Sequence, residues 1–261
     1  ARDKRGITCD VTPPSPPKRI AEDETKNEVS VNTSKRVALL IGNSKYESLP
    51  SLKNPVNDVN KLEDTLVEYS FDVTKETNLN FDKLRTAIEK FVTKLDTNQD
   101  HEAILVYFAG HGLQNDGNNF LAPIDAKINS LDDIRFEMQN ANSLFTKISE
   151  TSVNSIKIFL LDACRENIFS NSKIKLSQIN LSPNNIWDNS IMGFSTIQGQ
   201  KAIDGDGKNS PYLEAFINTI INNPKIQIEE ALKKTRIDVL KKTNNEQTPV
   251  EMSNLIESFS F

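Results

Sequence analysis

The sequence has few residues of the types that bind metals or attack substrates. Its 261 residues include two histidines and two cysteines, so any chemistry of these side chains has very few candidates. Cys9 lies in a polar stretch near the start of the chain, and Cys164 follows an apolar run. Such a pair is a poor disulfide framework, which favours a reducing compartment. We therefore expect a cytoplasmic protein.

Long apolar runs and concentrated positive charge are also missing. No run approaches the roughly 20 apolar residues that cross a bilayer, and residues 1–19 lack the apolar core of a signal peptide. The net charge is -5 and the isoelectric point is near 5.3. Lysine and arginine are not gathered on one face, so we expect no nucleic-acid partner and no membrane partner. The composition, with 37% hydrophobic residues, predicts a soluble globular protein with a sizeable core.

The composition changes near Ser34. Residues 1–34 hold four of the eleven prolines, balanced charges and almost no large apolar side chains, which predicts a disordered tail. The stretch "TPPSPP" within it suits a passive tether, or alternatively an extended ligand for a partner domain. Residues 35–261 form the predicted folded domain.

Within that domain, short apolar runs alternate with amphipathic segments. The predicted strands are 36–42, 71–77, 103–109, 155–163, 192–197 and 254–261. The predicted helices are 54–69, a segment marked by Leu84, Ile88, Phe91 and Leu95, a stretch near 141–148, 210–222 and 226–242. The first helix has Asn54 as its expected N-cap and Pro55 at its first position. Strands that alternate with helices predict crossover connections and a parallel sheet.

Two chemically capable side chains follow neighbouring predicted strands. His111 stands between two glycines after "AILVYFAG", and Cys164 follows "SIKIFLLDA". The carboxyl ends of parallel strands meet at one sheet edge, so adjacent strands would bring these two side chains together. His101 precedes its strand and therefore belongs at the opposite end. Taken alone, Cys164 could be a small buried structural residue, and His111 could be a loop histidine bonded to the backbone. Their joint placement after two predicted strands favours a catalytic site instead.

A thiol beside an imidazole permits nucleophilic catalysis. The imidazole of His111 would take the proton of Cys164, and the thiolate would attack an acyl carbon. The flanking glycines would let the backbone turn sharply and approach a substrate closely. The backbone N–H groups of Gly112 and Cys164 are the expected donors to the oxyanion.

Several motifs together resemble one family. "YFAGHG" followed 53 residues later by "LLDACRE" resembles the caspase-like cysteine proteases, although Asp162 and Glu166 replace a Gln and a Gly of the animal caspase motif. The Asp-Ala-Cys-Arg version, with "ALLIGNSKY", "LKNPVNDV", "FSTIQGQKA" and "NSPYLEAF", is similar to the paracaspases and their bacterial relatives. The resemblance spans about residues 36–261.

This resemblance implies the fold, the activity and the assembly. The expected fold is α/β, a caspase-like three-layer sandwich in which helices flank a mainly parallel sheet. The expected regions are a large-subunit region at 35–164, an intersubunit loop at 165–191 and a small-subunit region at 192–261. The implied activity is that of a cysteine endopeptidase that forms a thioester acyl-enzyme and needs neither a metal nor an organic cofactor. The C-terminal strand would pair two copies into a homodimer.

Charge predicts the preferred substrate. Asp162 lies two residues before Cys164, so a continuing strand would point both side chains to the same side. A carboxylate there favours a substrate Arg or Lys and repels an acidic residue. Asp58 resembles a second pocket acid of the paracaspases, and a role at the helix N-terminus fits it equally well. Asp204 is a third candidate, with Lys201 nearby.

Alternatives remain at this point. Lys173 and Lys175 in the loop are of the residue type that the pocket would accept, so both self-cleavage and a passive loop are open. A second hypothesis for the whole protein is a caspase-fold interaction module with an idle dyad, which would act through its proline-containing tail. A nucleotide-binding domain is disfavoured because "LLIGNSKY" lacks a G-x-G-x-x-G run.

Overall fold

The structure is a computed structural model that describes residues 35–95, 101–115, 117–163, 187–197, 200 and 202–261. The predictions for the tail at 1–34, for Lys173 and Lys175, and for Lys201 lie outside the described residues. So does the Cys164 side chain, although the strand that precedes it is described in full.

Strands and helices alternate along the described chain. The strands are β1 (Lys35–Gly42), β2 (Phe71–Thr77), β3 (His101–Gly110), β4 (Gly112–Asn115), β5 (Asn118–Leu121), β6 (Gln139–Asn140), β7 (Ile156–Ala163), β8 (Ser190–Phe194) and β9 (Val250–Ser253). The helices are α1 (Pro55–Glu68), α2 (Phe81–Leu95), α3 (Asp133–Glu137), α4 (Ala141–Thr151), α5 (Pro211–Asn222) and α6 (Ile228–Lys242).

The main sheet has the strand order β2-β1-β3-β7-β8-β9, and every neighbouring pair is parallel except β8 with β9. Strands β4, β5 and β6 form a separate small antiparallel sheet. The central strands are buried along nearly their whole length because both faces of the sheet are covered by helices.

Alternate residues of each strand pack on opposite faces of the sheet. On one face, Phe108 and Leu161 pack with apolar residues of α2 and α4. On the other face, Tyr107 and Leu160 pack with apolar residues of α1, α5 and α6. The period of two in the strands therefore divides the core into two layers around the sheet. The predicted three-layer α/β sandwich is confirmed.

Most predicted elements are present, with shifts at some ends. The strand predicted at 192–197 lies at Ser190–Phe194, and β3 begins at His101, two residues earlier than predicted. The patterns did not predict β4, β5, β6 or α3, which are all five residues long or shorter. Among the described helices, none is long and apolar enough to cross a membrane.

The prediction of a terminal strand at 254–261 is wrong, because the last strand is β9, just before it. The pairing of β9 with β8 ends where the Asn254 side chain accepts a hydrogen bond from the Ser190 N–H. Beyond this point, Phe259 is buried and Phe261 packs beside it, with 5.2 Å between the ring centroids. The alternation of apolar residues in this segment thus reflects the burial of two aromatic rings under the sheet.

Candidate active site

Strands β3 and β7 deliver the site to one edge of the sheet. They are adjacent and parallel, and their register pairs Gly110 with Ala163. His111 is the residue that follows Gly110, and Cys164 is the residue that follows Ala163. The expectation that the two strands are neighbours is therefore confirmed, while the distance between the imidazole and the thiol lies outside the described residues. His101 lies at the opposite end of β3, as predicted.

The ring of His111 is fixed by two contacts. Its Nε2 lies 2.7 Å from the carbonyl oxygen of Pro50, and the Tyr46 ring meets it edge-on with 4.6 Å between centroids. The imidazole is mostly buried, with 8% of the residue exposed. A carbonyl oxygen can only accept a hydrogen bond, so this contact assigns the hydrogen to Nε2. Nδ1 is then the basic nitrogen of the neutral ring.

The two glycines beside His111 have different surroundings. Gly110 has a φ of +156°, and a Cβ built on it would lie 2.5 Å from the Tyr46 hydroxyl oxygen. That hydroxyl also accepts the His111 backbone N–H at 2.7 Å. Gly110 is therefore required by close packing against Tyr46, which the sequence analysis did not foresee. Gly112 begins β4 and lines a small, mainly apolar cleft with Leu161 and Phe194.

An acidic cleft lies beside His111 on the side of the sheet that faces α1 and α5. It is narrow, with a cavity volume of about 30 Å³, and it is partly open to solvent. Its described lining residues are Leu52, Pro55, Asp58, Ala109, Gly110, Asp162, Ala202, Ile203, Asp204 and Ser210. All three predicted pocket acids are thus brought together, and among the described lining residues none is basic. We call this cleft the acidic pocket.

Asp58 and Asp162 form the buried part of the acidic pocket. They are 1% and 7% exposed. Asp58 Oδ1 accepts the Ser210 backbone N–H at 3.0 Å and the Asn209 side-chain amide at 2.9 Å. Asp162 Oδ2 accepts the Ser210 hydroxyl, and also the Tyr107 hydroxyl at 3.2 Å. Asp58 lies on α1, so the acid predicted either for the pocket or for the helix N-terminus occupies both positions.

Burial controls the charge of this pair. Removal from water and, to a smaller extent, the neighbouring Asp162 carboxylate together raise the pKa of Asp58 to about 7. Burial also raises the pKa of Asp162, while the hydrogen bonds from Ser210 and Tyr107 oppose that rise. Two close acids without a basic partner do not both ionise freely near neutral pH. The acidic pocket is therefore poised to change its charge around pH 7.

Asp204 is held differently from the other two acids. Its carboxylate accepts the backbone N–H groups of Lys53 and, at 3.1 Å, Asn54. The side chain of Asn54 in turn donates to the backbone carbonyl of Asp204. The prediction of Asn54 as the N-cap residue, with Pro55 at the first helical position, is confirmed, although the Asn54 side chain makes no cap hydrogen bond. Asp204 fastens its loop to the start of α1, and both of its carboxylate oxygens are engaged there.

Sequence reasoning missed several residues of the site. The Pro50 contact uses a backbone carbonyl, which any residue could supply, so no side-chain signal could reveal it. Tyr46 and Ser210 lie within "ALLIGNSKY" and "NSPYLEAF", which served only as signs of resemblance. Tyr107 looked like one more apolar residue of a buried strand. Among the described residues, no group of three or more His, Cys, Asp or Glu is arranged to hold a metal ion.

Comparison with known proteins places the chain in a family. Residues 35–260 match the caspase domain model, Peptidase C14. The chain is 34% identical over 169 residues to human mucosa-associated lymphoid tissue lymphoma translocation protein 1. It is 32% identical over 134 residues to a paracaspase of Dictyostelium discoideum. These alignments cover 65% and 50% of this chain, but only 19% and 31% of the two relatives.

The fold comparison agrees with the family match. The crystal structure of caspase-1 from Spodoptera frugiperda superposes with a TM-score of 0.67 at 17% identity, covering 87% of this chain and 90% of that one. This likeness confirms the predicted caspase-like sandwich. Because the family model matches nearly the whole described chain, the protein belongs to the caspase domain family of cysteine peptidases, and its sequence is similar to a paracaspase.

Proposed function

We propose that the protein is a cysteine endopeptidase that cleaves protein substrates after Arg, and more weakly after Lys. The observation that carries the proposal is the pair of buried acids, Asp58 and Asp162, in a pocket that is also lined by Gly110, the residue before His111. A pocket whose described lining is acidic and not basic suits a cation and repels an acidic residue.

In the proposed reaction, His111 is the general base and Cys164 is the nucleophile. Nδ1 of His111 takes the proton from the Cys164 Sγ, and the thiolate attacks the carbonyl carbon of the scissile bond. The Pro50 carbonyl stabilises the imidazolium that forms, because Nε2–H continues to donate to it. The backbone N–H groups of Gly112 and Cys164 donate to the oxyanion.

The second half of the reaction releases the products. The imidazolium gives its proton to the leaving amine, the C–N bond breaks, and a thioester to Cys164 remains. Water, deprotonated by His111, then attacks the thioester and frees the new carboxylate and the thiol. None of these steps uses a metal or an organic cofactor.

Arg is preferred because its guanidinium suits a pocket with two neighbouring carboxyl groups. The guanidinium is planar and carries several N–H donors, so it can bond two carboxyl groups at once, whereas Lys offers a compact charge. Asp204 contributes negative charge at the rim, but its oxygens already accept two backbone N–H groups. We therefore assign direct recognition to Asp58 and Asp162 and give Asp204 a supporting role.

The proposal extends to organisation and partners. Residues 1–34 act as a tail, 35–164 and 192–261 as the large-subunit and small-subunit regions, and 165–191 as the loop between them. Strand β9 is an edge of the described sheet, and its pairing with a second copy would make a homodimer. The expected setting is the cytoplasm, without membrane or nucleic-acid partners. Self-cleavage at Lys173 or Lys175 remains an open prediction.

A labelling experiment distinguishes this function from an idle scaffold. A peptide ending in Arg and carrying a thiol-reactive group is added to the purified chain and to its Cys9→Ser, Cys164→Ala and His111→Ala variants. The proposal predicts that the Cys9→Ser variant is labelled at the same rate as the unchanged protein. The Cys164→Ala variant should not be labelled, and the His111→Ala variant should be labelled at least tenfold more slowly. A cleavage profile on a peptide library then reads out the residue before the cut. Labelling that does not depend on Cys164 would favour the scaffold.

A further inference from the structure

One serine touches both buried acids of the acidic pocket. The backbone N–H of Ser210 donates to Asp58 Oδ1 at 3.0 Å, and its hydroxyl donates to Asp162 Oδ2. The same hydroxyl oxygen accepts the Leu213 N–H at 3.1 Å and so caps α5. Ser210 is 4% exposed. Its position is therefore fixed by three hydrogen bonds to three different elements, α1, β7 and α5.

The neighbours of Ser210 add to this arrangement. Asn209 donates its side-chain amide to Asp58 Oδ1, the same oxygen that Ser210 bonds. Pro211 begins α5, and its ring restricts the backbone on the far side of Ser210. These hydrogen bonds use Oδ1 of Asp58 and Oδ2 of Asp162. Each carboxyl is therefore held toward Ser210 by one of its two oxygens.

We propose that Ser210 is a positioning residue for substrate recognition, which holds the carboxyls of Asp58 and Asp162 side by side so that together they receive one guanidinium. This inference rests on the proposed function, because it presumes that the acidic pocket binds the substrate Arg. Ser210 need not touch the substrate, since it acts through the two acids.

The charge of the pair gives Ser210 a second effect. Hydrogen bonds from Ser210 lower the pKa of both carboxyls and oppose the rise that burial causes. Without the hydroxyl, the pair would hold its protons to higher pH and attract a cation less well at neutral pH. Loss of Ser210 should therefore weaken binding of Arg substrates and move its pH dependence upward. A purely structural role would not move that pH dependence.

The test compares Ser210→Ala with a matched cap variant, Asn140→Ala. Asn140 caps α4 by accepting the Ser143 N–H at 3.1 Å, and it does not line the acidic pocket. Both variants lose a helix cap, so both should be destabilised to a similar extent. Only Ser210→Ala also removes a donor from the acids. The kcat and KM for an Arg peptide are measured between pH 6 and pH 9, together with alkylation of Cys164 by iodoacetamide.

We expect Ser210→Ala to raise KM at pH 7 by about tenfold, as for the loss of one charge-assisted contact. Its KM should reach its lowest value at higher pH than in the unchanged protein, while kcat and alkylation stay within about threefold. Asn140→Ala should keep the unchanged KM and pH profile. Ser210→Gly replaces Ser210→Ala if the latter does not fold, because glycine is nearly as good at a cap position and also lacks the hydroxyl.

Three outcomes separate the hypotheses. A raised KM with a shifted pH profile in Ser210→Ala or Ser210→Gly, but not in Asn140→Ala, supports the role of Ser210. If the unchanged protein prefers Arg but both Ser210 variants behave like Asn140→Ala, the role of Ser210 is wrong and the proposed function stands. If the unchanged protein shows no preference for Arg, the proposed function fails and the role of Ser210 fails with it.

Discussion

The Nε2 of His111 lies 2.7 Å from the carbonyl oxygen of Pro50, and this contact assigns the tautomer of the imidazole. The nitrogen that faces Pro50 carries the hydrogen, so Nδ1 is the one that can accept a proton. A backbone carbonyl cannot itself be protonated or reoriented easily, which makes it a dependable partner for the imidazolium of the proposed reaction.

The first prediction concerns the dyad. Cys164→Ala should abolish peptidase activity because no other group can form the thioester, and His111→Ala should lower the rate at pH 7 by at least about a hundredfold. Both activities are measured on an Arg peptide, and thermal unfolding serves as the control for folding. Turnover above background by a folded Cys164→Ala protein would contradict the mechanism.

The second prediction concerns the charge of Asp162. Asp162→Asn should reduce kcat/KM for Arg peptides by at least tenfold, roughly the 1.4 kcal/mol of one charge-assisted contact. Alkylation of Cys164 by a small uncharged reagent should not change, because the thiol remains activated. Efficient cleavage after Asp by the unchanged protein would show that the pocket is assigned wrongly, even if the dyad stands.

The third prediction concerns the pH dependence of substrate binding. Since the pKa of Asp58 is about 7 in the acidic pocket, a substrate cation must displace a proton below that pH. We expect KM for an Arg peptide to fall as the pH rises from 6 to 8, and Asp58→Asn to flatten this change. Calorimetry with Cys164→Ala in buffers of different ionisation enthalpy should detect proton release on binding at pH 6.5. Binding with no proton release at that pH would contradict the assignment of Asp58.

The fourth prediction concerns stability. The pKa of Asp58 rises from 3.8 to about 7 on folding, so the folded protein binds the proton more tightly than the unfolded chain. The stability this contributes is complete below pH 3.8 and is lost as the pH rises through 7. Asp58→Asn removes the buried charge. The difference in free energy of unfolding between this variant and the unchanged protein should therefore move in favour of the variant from pH 5 to pH 8, by at least ~1.4 kcal/mol, the equivalent of one pKa unit.

The control for this measurement is on the same helix. Asp64 lies on α1 with an exposed side chain, so Asp64→Asn should show no comparable dependence on pH. Urea unfolding at the two pH values measures both variants. Equal effects of the two substitutions would mean that burial of Asp58 does not govern its protonation.

The fifth prediction concerns assembly through β9. The Asn254 N–H donates to the Ser190 carbonyl, so by alternation the N–H of Ser253 points to the free side of β9. If two copies pair along this edge, sedimentation should show a dimer at micromolar concentration in the presence of an Arg peptide. Ser253→Pro removes that donor and should weaken the dimer. Full activity of a protein that remains monomeric at every concentration would rule out the proposed assembly.

Regular elements were predictable because their apolar residues repeat. Leu84, Ile88 and Phe91 on α2 are all buried as their spacing indicated, and the parallel direction of β3 and β7 followed from the alternation of strands and helices, whereas their adjacency is seen only in the structure. The short strands β4 to β6 are at most four residues long, too short for a period to show. The segment at 254–261 was wrongly predicted to be a strand, because its alternating apolar residues reflect the packing of Phe259 and Phe261 under the sheet.

Site residues were predictable from the sequence where their role depends on residues nearby in the chain, and not where it depends on distant elements that meet in the fold. Asp162 could be placed from its distance in sequence to Cys164, whereas the function of Ser210 depends on α1, β7 and α5 meeting in three dimensions. Resemblance singled out Asp58, but only the structure explains its charge, since burial and Asp162 together raise its pKa. The clasp between Asp204 and the start of α1 joins residues far apart in the chain, and no spacing rule indicates it.

That clasp joins the two parts of the chain, before and after residue 165, which contribute different residues to the candidate site. The proposed base, the proposed nucleophile and the two strands that precede them all belong to the first part, before residue 165. The acidic pocket belongs to neither part alone, because Asp58 and Asp162 come from the first and Ser210 and Asp204 from the second. In the proposed function, reactivity therefore depends on the first segment, whereas discrimination between substrates requires both segments to be assembled. Residues 202–210 are therefore the place to begin changing the proposed substrate preference without altering the proposed dyad.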